Sequence, residues 1–509
     1  MFSSLLLSCV LAASSFPDVT FDTTAALSHM HVLASDDMRG RHTPSPELKR
    51  SASYIAETFK ELGVEPVNGS YFHPYGFDKL DIGDATDLTL TSKGIATSFV
   101  IKSDYNPYDF TGEGTVTNAP VVFVGYGITA PVLGYDDYAG IDVTGAVVVV
   151  IRGEPTVTDS TKPFSGSGQT SYASTSRKIE NAKKHGAVGM FVVDAARSTR
   201  KLMVLGGRWP SLFPEVPSEH TPIALHSNTP NIPCIHIGEL PAHVLFGSRA
   251  SYATIVAEID SLVVPQSRIL NDITVSFTVA LKRTPEQVDN VAGIIRGEEY
   301  PDEYVIIGAH YDHVGVGKPI KGDSIFNGAD DNASGTTGLL MIAKALHETD
   351  TRPERSIVLV AFSGEERGLL GSKAYAANSP LPLEKCVAMI NMDMIGRCES
   401  NKLSIGGNGY CPDLVAINEE ENASLGKPFT LKYDIDRYFF RSDQASFARK
   451  RIPVLFYFTG EHQDYHKVTD EISLIKFADM MNVVNLAMRT AWRAADQPRT
   501  RYVGKGWED

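Results

Sequence analysis

Cysteine is scarce in this chain, five in 509 residues, and none sits in a Cys-x-x-C pair. That excludes a thiolate zinc ribbon and thioredoxin-type redox chemistry. Cys9 lies in the N-terminal leader. Cys234, Cys386, Cys398 and Cys411 read as buried thiols, with a disulfide among the last three as the alternative in an exported protein. Long hydrophobic runs are also missing: none approaches the roughly 18 residues of a membrane-spanning helix. Positive charge is in deficit, 47 Lys and Arg against 61 Asp and Glu for a net charge of −14. This balance argues against nucleic acid and anionic membranes as partners. No G-x-S-x-G elbow is present, and "FSGSGQ" has the wrong spacing and no strand before it, which argues against a serine hydrolase. Gly125-Tyr126-Gly127 is not a phosphate loop, because no third glycine or Lys-Ser/Thr follows.

What is there is ordinary in bulk and specific in detail. A hydrophobic share of 43% and a charged share of 21% are those of a soluble globular protein. The length implies two or more domains. The leader "MFSSLLLSCVLAASSF", residues 1–16, has the apolar stretch and small residues of a secretory signal, although no Lys or Arg precedes it. Export, to the periplasm or the medium, is the expectation. Leu7-Ser8-Cys9 is a faint lipoprotein-type site, disfavoured by the short stretch before it. Nothing in the sequence fixes the oligomeric state.

Two helices are expected early, in "AALSHMHVLASDD" and "SASYIAETFKELGV", with Gly63 as the stop of the second. From about 85 to 265 short β-rich runs dominate, with one helix expected at "TSRKIENAKKHGA" and an exposed polar loop at "TVTDSTKPFSGSGQTSYAS". From about 268 strands alternate with helices, which argues for a sheet covered on both faces. The economical organisation is an α/β domain, 17–85 and 266–509, interrupted by a β-rich insertion, 86–265. Some 60 to 70 strand-poor residues at the start are a marginal domain alone; three domains in a row is the alternative.

Five segments of the α/β part carry metal-ligand residue types: "GAHYDHVG", "GADDNASG", "FSGEERGLLGS", "NMDMIG" and "DYHKVTD". The first four follow apolar, β-branched runs, so the ligands sit where strands end, as sites do in open α/β sheets. Two imidazoles and several carboxylates suit zinc, with cobalt and manganese as competitors. A two-metal hydrolase needs one carboxylate on both ions, which lie about 3.5–4 Å apart and hold an activated water between them. Asp330 is the natural bridge. His310 and Asp393 then complete one ion, and Glu366 and His466 the other. Asp312 orients the His310 imidazole, and Asp331 supports the turn. Glu365 is left over as general base. Taken singly each segment has a bland reading, such as a solvated Glu-Glu pair or a helix-capping Asp; five together at strand ends do not.

The set "AHYDHVG…NGADDNASGTTGLL…FSGEERGLLGS…NMDMIGR…DYHKVTD" resembles the di-zinc exopeptidases that include leucyl-type aminopeptidases and glutamate carboxypeptidases. The resemblance implies a mixed-sheet α/β sandwich and two zinc ions per chain. It implies His310, Asp330, Glu366, Asp393 and His466 as ligands, Glu365 as base, and Asp312 and Asp470 behind the ligands. It also implies removal of single residues from a peptide substrate. An aminopeptidase is favoured, with a carboxypeptidase or dipeptidase as runner-up. A single-zinc glutaminyl cyclase does not need the full set. A metal-free binding ectodomain is disfavoured because every ligand position is filled. Residues 115–260 resemble a protease-associated domain, carried by "VVFVGYGI…YDDYAGIDVTGAVVVVIRGEP" and "KIENAKKHGAVGMFVV". "FRSDQASF" places Arg441, Ser442 and Asp443 as candidate pocket residues, with Arg441 able to neutralise a substrate carboxylate. Tyr465 is a candidate donor to the oxyanion. His313 is expected close behind the site, with no assigned coordination role.

Overall fold

The structure, a computed structural model, describes residues 16–17, 19–157, 159–165, 170–198, 200–205, 209–214, 221–226, 231–435 and 438–504. The leader therefore falls almost wholly outside the described residues, as do residues 158 and 166–169 of the polar loop. Two compact units are present, 1–76 with 286–509, and 77–285. The expected insertion, 86–265, is shorter than the second unit. The extra residues belong mainly to the long strands Phe72–Ile82, Arg268–Val279 and Leu281–Ile295, whose polar and charged positions obscure their strand pattern.

The first unit is built on a mixed sheet. From residue 286 onward Leu281–Ile295 pairs antiparallel with Arg355–Phe362. Then come Tyr300–His310, Cys386–Met392 and Val454–Phe458, all parallel to Arg355–Phe362. Lys402–Gly406 runs antiparallel beyond them and pairs with Thr430–Lys432. The four central strands are buried along most of their length, which explains their near-continuous Val/Ile/Leu runs. Alternate residues serve the two faces. Ile306, Val358, Val360, Phe362 and Met389 meet Tyr375 and Phe447, which lie on helices Leu370–Ala377 and Gln444–Ala448. Helices Gly335–His347 and Phe477–Asp496 also pack on the central strands. Fully burying one such aliphatic side chain stabilises the fold by about 1.5–3 kcal/mol.

The opening helices form as expected, Thr23–Leu33 and Pro46–Glu61. The second starts with Pro46 at its first position and the Ser45 hydroxyl accepting from the Leu48 N–H at 3.0 Å. Its apolar stripe, Leu48, Ala52, Ile55 and Phe59, is buried, and Gly63 follows its end at φ +68°.

The second unit holds an eight-stranded sheet in the order Ile95–Ser98, Asp87–Ser92, Arg268–Val279, Gly114–Phe123, Val147–Ile151, Gly189–Val193, Cys234–Ile237, Tyr105–Pro107. It contains the expected helix, Thr175–Lys184, and two that the sequence reading missed, Glu239–Phe246 and Arg249–Leu262. Tyr252, Val256 and Ile259 give the last a buried face at helical spacing. Its mixed polar sequence hides that signal. All four described cysteines are free and buried, so the disulfide alternative is not realised.

Candidate metal centre

The parallel strands converge their C-terminal ends on one site. His310 is the last residue of Tyr300–His310, Asp393 follows Cys386–Met392, and Glu365 and Glu366 follow Arg355–Phe362. His466 arrives on the loop after Val454–Phe458. The Asp-Asp pair lies in an irregular turn, 329–334, that leads into helix Gly335–His347. Gly328 begins that turn in the left-handed region at φ +57°, and a Cβ there would meet Asp331 O at 2.2 Å and the His313 ring at 2.5 Å. Only glycine fits this close approach.

Two groups of potential ligands result, and they share one residue. His310, Asp331 and Asp393 form the first; His313, Asp331, Glu366 and His466 form the second. Asp331 divides its oxygens between them. Its Oδ1 is 3.4 Å from His310 Nε2, and its Oδ2 is 3.1 Å from His466 Nε2. His310 Nε2 is also 3.4 Å from Asp393 Oδ1, and His466 Nε2 is 3.2 Å from Glu366 Oε2. The shared carboxylate is therefore Asp331, not Asp330 as the sequence reading had it. Asp330 faces away: its Oδ1 accepts the Gly396 N–H at 2.6 Å, and its Oδ2 is 3.2 Å from His462 Nε2. The turn is set from a distance, because the Asp470 carboxylate accepts the N–H groups of both Asp330 and Asp331 at 3.0–3.1 Å.

The residues fit a metal. The buried atoms His310 Nε2, His466 Nε2, Glu366 Oε1 and Asp393 Oδ1 have no hydrogen-bond partner, although carboxylates and imidazoles crowd around them. They lie close without hydrogen-bond geometry, which is what a common coordination point produces. Histidine nitrogen with carboxylate oxygen is a donor set that zinc takes. Burial alone would raise the Asp331 carboxyl, but the His310 and His466 imidazoles outweigh it and hold Asp331 well below the usual range.

Around these groups the supporting contacts are specific. His310 Nδ1 is 3.1 Å from the Asp312 carbonyl and 3.7 Å from its Oδ1, so the backbone shares in orienting the imidazole. The Asp312 carboxylate also accepts from the Glu365 N–H at 3.1 Å and from the Thr43 hydroxyl at 3.0 Å. Burial pushes Asp312 up to about 6. Glu365 belongs to neither ligand group; its Oε2 stands 4.0 Å from His310 Nε2. Burial, reinforced by Glu366 and Asp393, raises its carboxyl well above the usual range.

His313, expected close behind the site without a coordination role, is buried in the second ligand group and places Nδ1 2.9 Å from Glu366 Oε1. Two contributors escaped the sequence reading. Arg41 is fully buried and donates to the carbonyls of Tyr311 at 2.9 Å, Asn327 at 2.8 Å and Gly328 at 3.1 Å, tying the ligand loops together. His462 had a visible signal, a second histidine four residues before His466.

Beside the ligands runs a cleft whose apolar wall is Met394, Tyr438, Phe456, Phe458 and Tyr465. Glu365, Asp393 and Asp331 present carboxylates to it, and Arg441, Ser442 and Glu461 also line it. Ser442 Oγ accepts from Asn391 Nδ2 at 2.9 Å. Asp443 is buried and does not line the cleft, and burial pushes its carboxyl up to about 7. Tyr465 stacks on His466 with ring centroids 3.9 Å apart. Burial raises its phenol, so the hydroxyl keeps its proton.

Residues 290–491 match Peptidase family M28, and residues 111–243 match the PA domain. The chain thus carries an M28-type peptidase domain and a PA domain. A probable zinc metalloprotease of Leptosphaeria maculans is 26% identical over 258 residues, covering 42% of this chain and 59% of that protein. A probable glutamate carboxypeptidase of Zea mays is 37% identical over 123 residues, 23% of this chain and 16% of that protein. The chain thus spans less than two thirds of the length of these curated relatives. The solved aminopeptidase from Aneurinibacillus sp. strain AM-1 shares the fold at a TM-score of 0.51, with 19% identity and 95% of each chain covered. No helix among the described residues is long and apolar enough to cross a membrane.

Proposed function

We propose that this M28 protein is a di-zinc exopeptidase, an aminopeptidase that removes N-terminal residues from peptides outside the cytoplasm. The observation that carries the reading is Asp331, which offers one oxygen to each ligand group while Glu365 stays outside both. His310, Asp331 and Asp393 would hold one zinc, and Asp331, Glu366 and His466 the other. Bound zinc would polarise the scissile carbonyl and lower the pKa of water.

This chain's own groups supply the rest. Glu365, carboxylate toward the cleft, takes the proton of the attacking water and delivers it to the leaving nitrogen. The Tyr465 hydroxyl, which keeps its proton, would donate to the developing oxyanion. Asp393 gives the cleft a carboxylate for the substrate's free α-ammonium, which limits cleavage to one residue. The apolar wall suits an uncharged side chain on that residue.

A carboxypeptidase is the second reading, favoured only by the presence of Arg441 in the cleft. The test is a panel of aminoacyl-nitroanilides and N-blocked, C-free dipeptides, with metal analysis of the same sample. Release from free N-termini, blocked by N-acetylation, with about two zinc ions per chain is the expected result. Cleavage stopped by C-terminal amidation instead gives the carboxypeptidase.

A further inference from the structure

We infer that the ion pair Arg441–Glu461 is a charge gate that decides which N-terminal side chains the cleft accepts. This rests on the aminopeptidase reading and extends it to substrate choice. Arg441 Nη1 is 3.3 Å from Glu461 Oε1, and the two side chains are 54% and 38% exposed, on the solvent side of an otherwise buried aromatic wall. Tyr438 joins them: its hydroxyl donates to Glu461 Oε2 at 3.0 Å, and its ring lies 5.2 Å from the Arg441 guanidinium carbon. Both oxygens of Glu461 are therefore engaged, one by a cation and one by a phenol.

The consequence is a lining with no net charge contributed by the pair. Met394, Phe456 and Phe458 behind it offer only apolar contact. A neutral side chain enters without disturbing anything. An acidic one must compete with Glu461 for Arg441, and a basic one must compete with Arg441 and Tyr438 for Glu461. Selectivity arises from the charges that are already paired as much as from the apolar wall. The same pairing weakens Arg441 as a group for binding a substrate carboxylate, because its charge is met from within the chain.

The gate is tested by opening it from each side. Zinc-loaded wild type, Glu461→Gln and Arg441→Gln are compared for kcat/KM on leucyl-, glutamyl- and lysyl-p-nitroanilide, with zinc content measured on every sample. Glu461→Gln is expected to raise the glutamyl-to-leucyl ratio about tenfold, and Arg441→Gln the lysyl-to-leucyl ratio about tenfold, close to 1.4 kcal/mol each. The swap Arg441→Glu with Glu461→Arg is expected to bring both ratios back toward wild type, a recovery that general damage to the fold cannot produce. Ratios that stay within about twofold in both single variants, while wild type cleaves the leucyl substrate, overturn the gate and leave the aminopeptidase reading standing. A wild type that cleaves no aminoacyl-nitroanilide but trims N-acetylated dipeptides overturns both.

Discussion

Both units bury charged groups and answer many of them within the chain, but among the described residues only the M28 unit gathers a cluster of buried charged groups that stays unanswered. In the PA-containing unit Lys178 is fully buried and donates to the carbonyls of Tyr126 at 2.5 Å, Ile151 at 2.9 Å and Gly153. Asp137, also buried, accepts the N–H groups of Tyr126 at 3.1 Å and Ile128 at 3.0 Å and the Tyr135 hydroxyl at 2.9 Å. The protein itself answers these charges. In the M28 unit His310, His466, Glu366 and Asp393 are left with buried atoms that no hydrogen bond answers. A buried polar group without a partner destabilises a fold. The first arrangement is scaffold. The second is a candidate metal site, and the contrast marks it without reference to any relative.

The sharpest way to break this comparison is at the shared carboxylate. Asp331→Ala removes an oxygen from each ligand group, so zinc content should fall toward zero and turnover by at least about 10⁴-fold. Asp330→Ala should keep both ions, because Asp330 faces Gly396 and His462 instead. Metal analysis of the pair decides it; the opposite pattern would return the bridge to Asp330.

Next in size is the base. Glu365→Gln keeps the shape and removes the proton acceptor, so turnover should fall by about 10²–10⁴-fold, roughly 3–5 kcal/mol. Both ions should remain bound. Loss of zinc in this variant, with Glu366→Gln retaining both ions, would mean that the adjacent glutamates exchange roles.

Stability offers a third contrast. Zinc supplied at about 100 times its dissociation constant should stabilise the M28 unit by about 2.7 kcal/mol over the chelated protein. Hydrogen exchange should show the gain in strands Tyr300–His310 and Cys386–Met392, and none in Val147–Ile151 or Gly189–Val193 of the other unit. Equal protection of both sheets would contradict that division between the units.

The smallest effect belongs to the self-contained cluster. Lys178→Met strands three buried carbonyls and should destabilise the PA-containing unit by about 2 kcal/mol, while zinc content and ligand geometry stay unchanged. Unfolding monitored by exchange in that unit reads the loss directly.

Much of this was legible in the sequence, and the reason is periodicity. Apolar runs ending in His, Asp or Glu fixed the strands, their C-terminal ends and the residue types that gather there. The helix Pro46–Glu61 follows from spacing and its Ser45 cap, and Gly335–His347 from spacing alone. The helix Arg249–Leu262 was not legible, because only Tyr252, Val256 and Ile259 of its fourteen residues are buried and its remaining positions mix polar and apolar types.

Residue chemistry and strand ends were determined by the chain's own order: a histidine after one strand, paired glutamates after the next, an aspartate after a third. The choice between Asp330 and Asp331 was not. Adjacent side chains in an irregular turn point in different directions, and those directions depend on backbone torsions held by Asp470, some 140 residues away, and by the left-handed Gly328. Nor could sequence show that Arg441 is paired, since its partner Glu461 lies 20 residues further along the chain. Local pattern determines what a segment is; hydrogen bonds between distant segments decide which of its atoms face the site.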